Sequence, residues 1–236
     1  MESTVANERY FSAGRLVAML CRSDLWIEAC SVKMCVYQSR EEIRRFFQQQ
    51  NIKYLERTRI GWEPLLTMRL DTTPYYRENM ELFQEISCRY QEDIEKCRMA
   101  PIYIKQIDQK LGYGVFAAED IPKDAFIGEY TGVVQVPAVN AGRKMREGGF
   151  ESDFSWYYLD QPEGAPELEI NGRLEGNEMR FVNHSDNFNV DVEHTLFQGY
   201  WIIFFKAARA IPKDEQLLIS YGEQYWGDQY REILDI

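Results

Sequence analysis

The 236-residue chain is poor in several features, and each scarcity narrows what the protein can be. No apolar run approaches the ~18 residues needed to span a bilayer, and the N-terminus lacks a basic-then-apolar segment. The expectation is a soluble, intracellular protein outside the ordinary signal-peptide route; a signal read by a specialised secretion machine leaves no such trace. The five cysteines, Cys21, Cys30, Cys35, Cys88 and Cys97, are odd in number, precede residue 100 and form no C-x-x-C pair. That argues against a disulfide framework and against a thiolate zinc cluster. There are two histidines, His184 and His194, and the second reads as a surface residue. Disorder is excluded by a composition that is 45% apolar and 14% aromatic.

Basic charge is what the C-terminal part lacks. Residues 1–100 hold 15 Lys and Arg against 15 Asp and Glu, while residues 101–236 hold 12 against 23. The net charge of −11 therefore belongs to the second stretch. An acidic field repels nucleic-acid phosphates and attracts basic partners such as Lys- and Arg-rich peptides. Plain solubility explains the same numbers.

The first hundred residues read as helical. Ile43, Phe46, Phe47 and Leu55 fall at roughly helical spacing between Arg40 and Arg57. A second helix begins at Thr73-Pro74, an N-cap with proline at the first helical position, and carries Leu82, Ile86, Tyr90 and Ile94 every four residues. These stripes can cover the rest of the chain, form the seam of a homodimer or hold a substrate. After Pro101 the period changes to that of strands: 102–107, 112–117, 125–134, 200–207 and 217–219. Ala117-Ala118-Glu119-Asp120-Ile121-Pro122-Lys123-Asp124 is echoed by Ala207-Ala208-Arg209-Ala210-Ile211-Pro212-Lys213-Asp214, each a turn that feeds a strand. Residues 137–151 read as an insertion or short helix and 160–167 as a loop. This divides the chain into a helical region, 1–100, and a β-rich domain, 101–236.

The most informative stretch is Arg180-Phe181-Val182-Asn183-His184-Ser185 with Asn189 beyond it. It has no helical or strand period, and it reads either as a polar turn before a strand at Val190 or as a segment kept because it binds something. Gly112-Tyr113-Gly114 is not a Rossmann fingerprint, because no third glycine follows; it lets the backbone approach a ligand or it closes a hairpin. Ser220-Tyr221-Gly222 and then Tyr225-Trp226 come near the end of the chain.

In this order the pieces resemble the SET-domain protein-lysine methyltransferases, over about residues 102–226. The Gly112-Tyr113-Gly114-Val115-Phe116-Ala117 block and the aromatic ending look closest to the small SET proteins of chlamydia-type intracellular bacteria. The resemblance implies a mainly β SET fold, short sheets around a pseudoknot, with an α-helical N-terminal segment. It implies S-adenosylmethionine in a cleft made by Leu111, Gly112, Tyr113, Gly114, Arg180, Asn183, His184, Tyr221, Tyr225 and Trp226, with Tyr221 as the catalytic residue. The histidine of the family serves the adenine largely through its main chain, so His184 is not expected to bind metal. The implied substrate is a basic protein, a histone or histone-like protein, with no direct nucleic-acid or membrane partner. Bacterial cytoplasm and, for a secreted effector, host nucleus both fit.

Physical chemistry makes sense of these residue types. Neutralising a lysine of pKa near 10.4 at about pH 7.5 costs roughly 4 kcal/mol. An apolar channel ending at a fixed positive charge lowers that pKa by desolvation and by like charge, so no carboxylate base is needed. Alternate residues of a strand share a face, which makes Phe154, Trp156 and Tyr158 candidate channel walls, although core packing yields the same pattern. Asp186 and an aromatic tail stand where many relatives have zinc-binding cysteines, so no zinc is expected. Phe188 replaces the usual proline before the last asparagine, and Ser220 replaces an aspartate. Ile219 stands where relatives often carry Tyr or Phe that limits methylation, which suggests di- or trimethylation. The competing reading is a catalytically idle SET module that serves as a protein-interaction domain.

Overall fold

A computed structural model describes residues 35–108, 112–137 and 154–221 of the chain. The expected insertion at 137–151 falls almost wholly outside these residues, as do Leu111, Gly222, Tyr225 and Trp226. The first part of the chain holds β1 (Val36–Tyr37), α1 (Arg40–Gln49), β2 (Lys53–Tyr54), β3 (Arg59–Ile60), α2 (Pro74–Glu78) and α3 (Met80–Glu95). Next come β4 (Ile102–Asp108), β5 (Gly112–Ala117), β6 (Phe126–Tyr130) and β7 (Val133–Gln135). Then follow β8 (Ser155–Tyr157), β9 (Glu169–Asn171), β10 (Glu175–Gly176) and β11 (Asn183–His184). The last are β12 (Val190–Phe197), β13 (Tyr200–Ala207) and β14 (Leu218–Ile219).

The strands form small sheets. Two have three strands each, β1-β4-β5 and β12-β13-β6, and one has four, β3-β7-β9-β8. Two parallel pairs, β2 with β10 and β11 with β14, join segments far apart in sequence. The architecture is mainly β, short sheets with helices in the first part, as expected.

The helices differ from expectation at their ends. Ser39 caps α1 through a reciprocal capping box with Glu42, and Ile43, Phe46 and Phe47 are buried. The helix stops at Gln49 rather than running to Arg57, because Asn51 takes a left-handed conformation, φ 56°, and turns the chain into β2. The rings of Phe46 and Phe47 then pack on Tyr113 and Phe181, so α1 buttresses the glycine turn and the polar segment together. The second helix is broken at Asn79 into α2 and α3, and Thr73 gives its hydroxyl to the carbonyl of Leu70 instead of capping the helix. Of the expected stripe, Tyr90 and Ile94 are buried in a cluster with Phe126, Ile202 and Phe204, while Leu82 stays exposed.

The internal echo turns out to be structural. Ile121 and Ile211 exchange both backbone hydrogen bonds, at 2.8 and 2.9 Å. Asp124 donates its N–H to the carbonyl of Ala207, and Asp214 donates to Ala117, each at 2.8 Å. The two aspartates share a left-handed conformation, φ 62° and 66°. Equivalent bonds exchanged between equivalent positions mark an approximate two-fold arrangement of the two turns.

His194 is not a surface residue. It is half-buried on β12 with its ring against Phe83 and Trp201, and its Nε2 lies 3.0 Å from the Tyr75 hydroxyl. Burial holds its pKa below the ordinary value, since a charged ring would be poorly solvated there. A lowered pKa means the histidine's contribution to stability is complete above about pH 6.5 and is lost as pH falls below it. Urea unfolding of wild type and His194→Gln is therefore expected to show a pH-dependent gap between about pH 7.5 and 5.5, with wild type losing more stability on acidification. Equal losses in the two proteins would contradict this.

Candidate active site

The site is built where β11 runs parallel to β14. Asn183 pairs with Leu218 and His184 with Ile219, and Ser185 adds an N–H to the carbonyl of Ile219 at 3.0 Å. Asn189, fully buried, clamps the approach to β14. Its amide donates to the carbonyl of Gln216 and to Glu215 Oε1 at 2.8 and 2.7 Å, and its Oδ1 accepts the N–H of Leu218 at 2.8 Å. Thus 183–189 threads against 215–219, and the chain delivers Tyr221 immediately afterwards. The polar stretch pairs with a segment some thirty-five residues further on and is not a plain turn.

Tyr221 meets this segment at both ends. Its N–H donates to His184 Nδ1 at 3.1 Å, and its hydroxyl donates to the carbonyl of Val182 at 3.0 Å. Because Nδ1 accepts, the imidazole proton sits on Nε2. Asn183 reaches the other way, its Nδ2 donating to the carbonyl of Tyr113 at 3.0 Å, which ties the glycine turn to this segment.

The two glycines of that turn do different jobs. Gly112 has φ 71°, and among the described residues a Cβ there would meet nothing within 4 Å. At Gly114 a Cβ would lie 2.8 Å from both Gln216 Nε2 and Ile107 Cδ1, the ends of two flexible side chains that would have to shift to admit it.

Beneath Tyr221 lies a cavity of about 60 Å³ lined by Tyr130, Ser155, Trp156, Met179, Arg180, Val182, Phe205, Ile219 and Tyr221. That volume admits only a slender group such as the end of an unbranched side chain. The rings of Tyr130, Trp156 and Phe205 contact one another at 5.9–6.2 Å between centroids. Arg180 is buried against the same wall. Its Nε donates to the carbonyl of Gly172 and its Nη2 to that of Arg173, and its guanidinium sits 4.0 Å from the Phe154 ring centroid. Burial pulls its pKa down to about 10, which leaves it charged at neutral pH.

Of the four candidate channel residues, Trp156 and Ile219 line the cavity. Phe154 stacks under Arg180 from behind. Tyr158 lies in the core, with no exposure, and its hydroxyl accepts the N–H of Trp201 at 3.0 Å. Strand β8 ends at Tyr157, so the shared face does not carry Tyr158 to the cavity. Tyr130, Met179, Val182 and Phe205 line it without having been singled out as wall residues. Val182 stands inside the polar motif, whereas Tyr130 and Phe205 are single residues of the runs 125–134 and 200–207 and carry no signal of their own. Among the described residues, no group of three or more His, Cys, Asp or Glu is placed to hold a metal. None of their helices is long and apolar enough to cross a membrane.

A polar segment paired in parallel with the chain that delivers a tyrosine, beside a narrow aromatic cavity, is the arrangement that the resemblance to SET domains implies. Residues 112–222, just under half of the chain, match the family model described as SET domain. The chain is 30% identical over 115 residues to histone-lysine N-methyltransferase EZH2 of Chaetomium thermophilum, covering 48% of this chain and 8% of that protein. It is 32% identical over 110 residues to histone-lysine N-methyltransferase MEDEA of Arabidopsis thaliana, covering 47% and 15%. The crystal structure of ATXR5 in complex with histone H3.1 mono-methylated on R26 superposes with a TM-score of 0.51 at 18% identity, covering 77% of this chain and 86% of that one, a likeness of fold. These relatives are eukaryotic.

Proposed function

We propose that the chain is an S-adenosylmethionine-dependent methyltransferase acting on lysine in a basic protein, a histone or histone-like protein. The observation that carries this reading is the narrow aromatic cavity with the Tyr221 hydroxyl on its wall, beside a glycine turn tied to the polar segment. Charge favours a basic partner, since the acidic excess lies in residues 101–236. The likeness to chlamydia-type SET proteins rests on the Gly112–Ala117 block and the aromatic ending alone.

The residues present fit the methyl donor: no described residue crowds Gly112, and Asn183 and His184 tie the turn and Tyr221 to one segment. S-adenosylmethionine supplies an electrophilic methyl group attached to a sulfonium. Gly112, Tyr113, Gly114, Asn183 and His184 would hold it. Arg180 props the cleft through residues 172–173 and adds a positive charge to the cavity wall. Trp156, Tyr130 and Phe205 strip water from the entering lysine, so desolvation and like charge both favour the neutral amine. The bound donor would supply its methyl group to the amine lone pair and keep the C–S electron pair as a neutral thioether, the lysine's proton having passed to water beforehand. Tyr221 orients the amine through its hydroxyl oxygen, whose proton is committed to Val182. Labelled-methyl incorporation into core histones tests the reading; no incorporation into any basic protein offered would overturn it.

Ile219 sets how many methyl groups fit. It lines the cavity 2% exposed, and phenylalanine there would fill space that a methylated amine needs. Ile219→Phe is expected to shift products from di- and trimethyl-lysine to monomethyl-lysine by mass spectrometry. A wild type that makes monomethyl-lysine alone with excess cofactor would refute the role of Ile219. With Tyr90 and Ile94 buried, the apolar surface of α3 left for a homodimer is reduced to Met80 and Leu82.

A further inference from the structure

A second cavity, of about 300 Å³, has Glu178 in its lining, while Met179 and Arg180, the next residues in the chain, line the aromatic cavity. Nothing in the methyl-transfer reading uses it. Its deepest charged group is Glu178, a carboxylate only 4% exposed. Among the described residues, the one side-chain donor on it is the Tyr54 hydroxyl, 2.9 and 3.1 Å from the two oxygens. The backbone N–H of Glu178 itself is a second donor, so of the roughly four acceptor positions of a carboxylate about two remain open. Tyr54, Arg40 and Arg44, which contact Glu178 or act on it electrostatically, all line the same cavity.

The charges nearer the mouth are largely matched. Arg44 pairs with Glu56 at 2.6 Å, and Lys96 with Glu92 at 2.7 Å. Arg40 has no carboxylate within ion-pair distance among the described residues. Burial dominates the pKa of Glu178 and raises it even with two arginines nearby. The acid is thus under-compensated where it sits, and a cation brought into the cavity would supply what the protein does not. Ile43 and Met99 offer apolar surface for an alkyl stem.

We propose that this cavity binds the guanidinium of an arginine side chain from a basic protein, with Glu178 as its counter-ion. Tyr54 holds the carboxylate in a fixed orientation, and the planar fork of a guanidinium matches two carboxylate oxygens better than the point charge of an ammonium does. The guanidinium is also the more weakly hydrated of the two cations and enters a buried site at lower cost. This binding does not depend on methyl transfer.

Isothermal titration calorimetry of the full chain with N-acetyl-arginine amide tests it. Saturable binding is expected, weakened roughly tenfold or more by Glu178→Gln, which removes a charge-assisted bond while keeping the shape. Arg40→Ala alters an exposed residue, so the fold is preserved, and it gives the sign. Removing a nearby positive charge tightens binding of a cation and weakens binding of an anion. Tyr221→Phe leaves the affinity unchanged, which separates this site from the methyl-transfer cavity. The proposal is overturned if wild type does not bind the probe saturably, if Glu178→Gln binds as tightly as wild type, or if Arg40→Ala weakens binding.

Discussion

Tyr221→Phe is expected to lower the rate of methyl transfer to lysine on the order of a hundredfold, the usual effect of removing one positioned hydroxyl from a reaction centre. The ring keeps its volume and its place beside His184, whose centroid lies 5.3 Å away, so the cavity is not reshaped. Only the oxygen goes, together with its hydrogen bond to the carbonyl of Val182. That bond is worth about 1 kcal/mol to folding, a small share of the stability of a domain this size. The rate falls further than stability because the oxygen acts at the transition state. It holds the amine in line with the bond that breaks, and a misplaced nucleophile loses most of the benefit of being bound. Single-turnover transfer to core histones, with circular dichroism as the folding control, checks this. A folded variant within about threefold of an active wild type would remove Tyr221 from the chemistry, whereas no transfer by wild type would favour an idle module.

How much of this was legible in the sequence depends on whether a residue acts locally or through topology. The strands 102–108, 112–117 and 200–207 follow from alternating or continuous apolar runs bounded by turn residues, and the observed bounds lie within a residue of those expected. Tyr221, Asn183 and His184 could be picked out because they stand in short polar segments that apolar burial does not explain. The walls of the cavity could not be picked out in the same way. Phe205 is one of several aromatic residues on β13, and which of them faces a cavity depends on how β6 and β13 pair. Tyr158 misled for the converse reason: period two holds only while the strand lasts, and β8 is three residues long. The break at Asn79 and the stop at Asn51 are backbone events at single residues, where tertiary packing overrides the longer helical pattern. Glu178 was invisible altogether. One acidic residue in an acidic chain becomes distinctive only when Lys53–Tyr54 pairs with Glu175–Gly176 and brings a tyrosine hydroxyl onto it.

Asn189→Ala is expected to cost about 3–4 kcal/mol of stability, because it orphans the Leu218 N–H and the Gln216 carbonyl in a buried site, at roughly 1–3 kcal/mol for each. Glu215 keeps its ion pair with Arg209, so the loss falls on the backbone that carries β14. For a chain of this size that is a fall in midpoint temperature of about 10 °C. Asn189→Asp separates hydrogen bonding from shape. The aspartate can still accept the Leu218 N–H, but it sets an oxygen against the carbonyl of Gln216 and a negative charge against Glu215, both of which now accept from the amide. The isosteric variant is therefore expected to be no more stable than alanine near neutral pH, and to recover part of the difference as the pH is lowered and the new carboxyl takes up a proton. Urea unfolding across that range, with the denaturant slope checked for constancy, reads both effects. An aspartate variant as stable as wild type at neutral pH would show that the side chain fills space and does not clamp the strand. If the clamp holds, both variants also slow methyl transfer, because Tyr221 follows directly on the segment that Asn189 ties down.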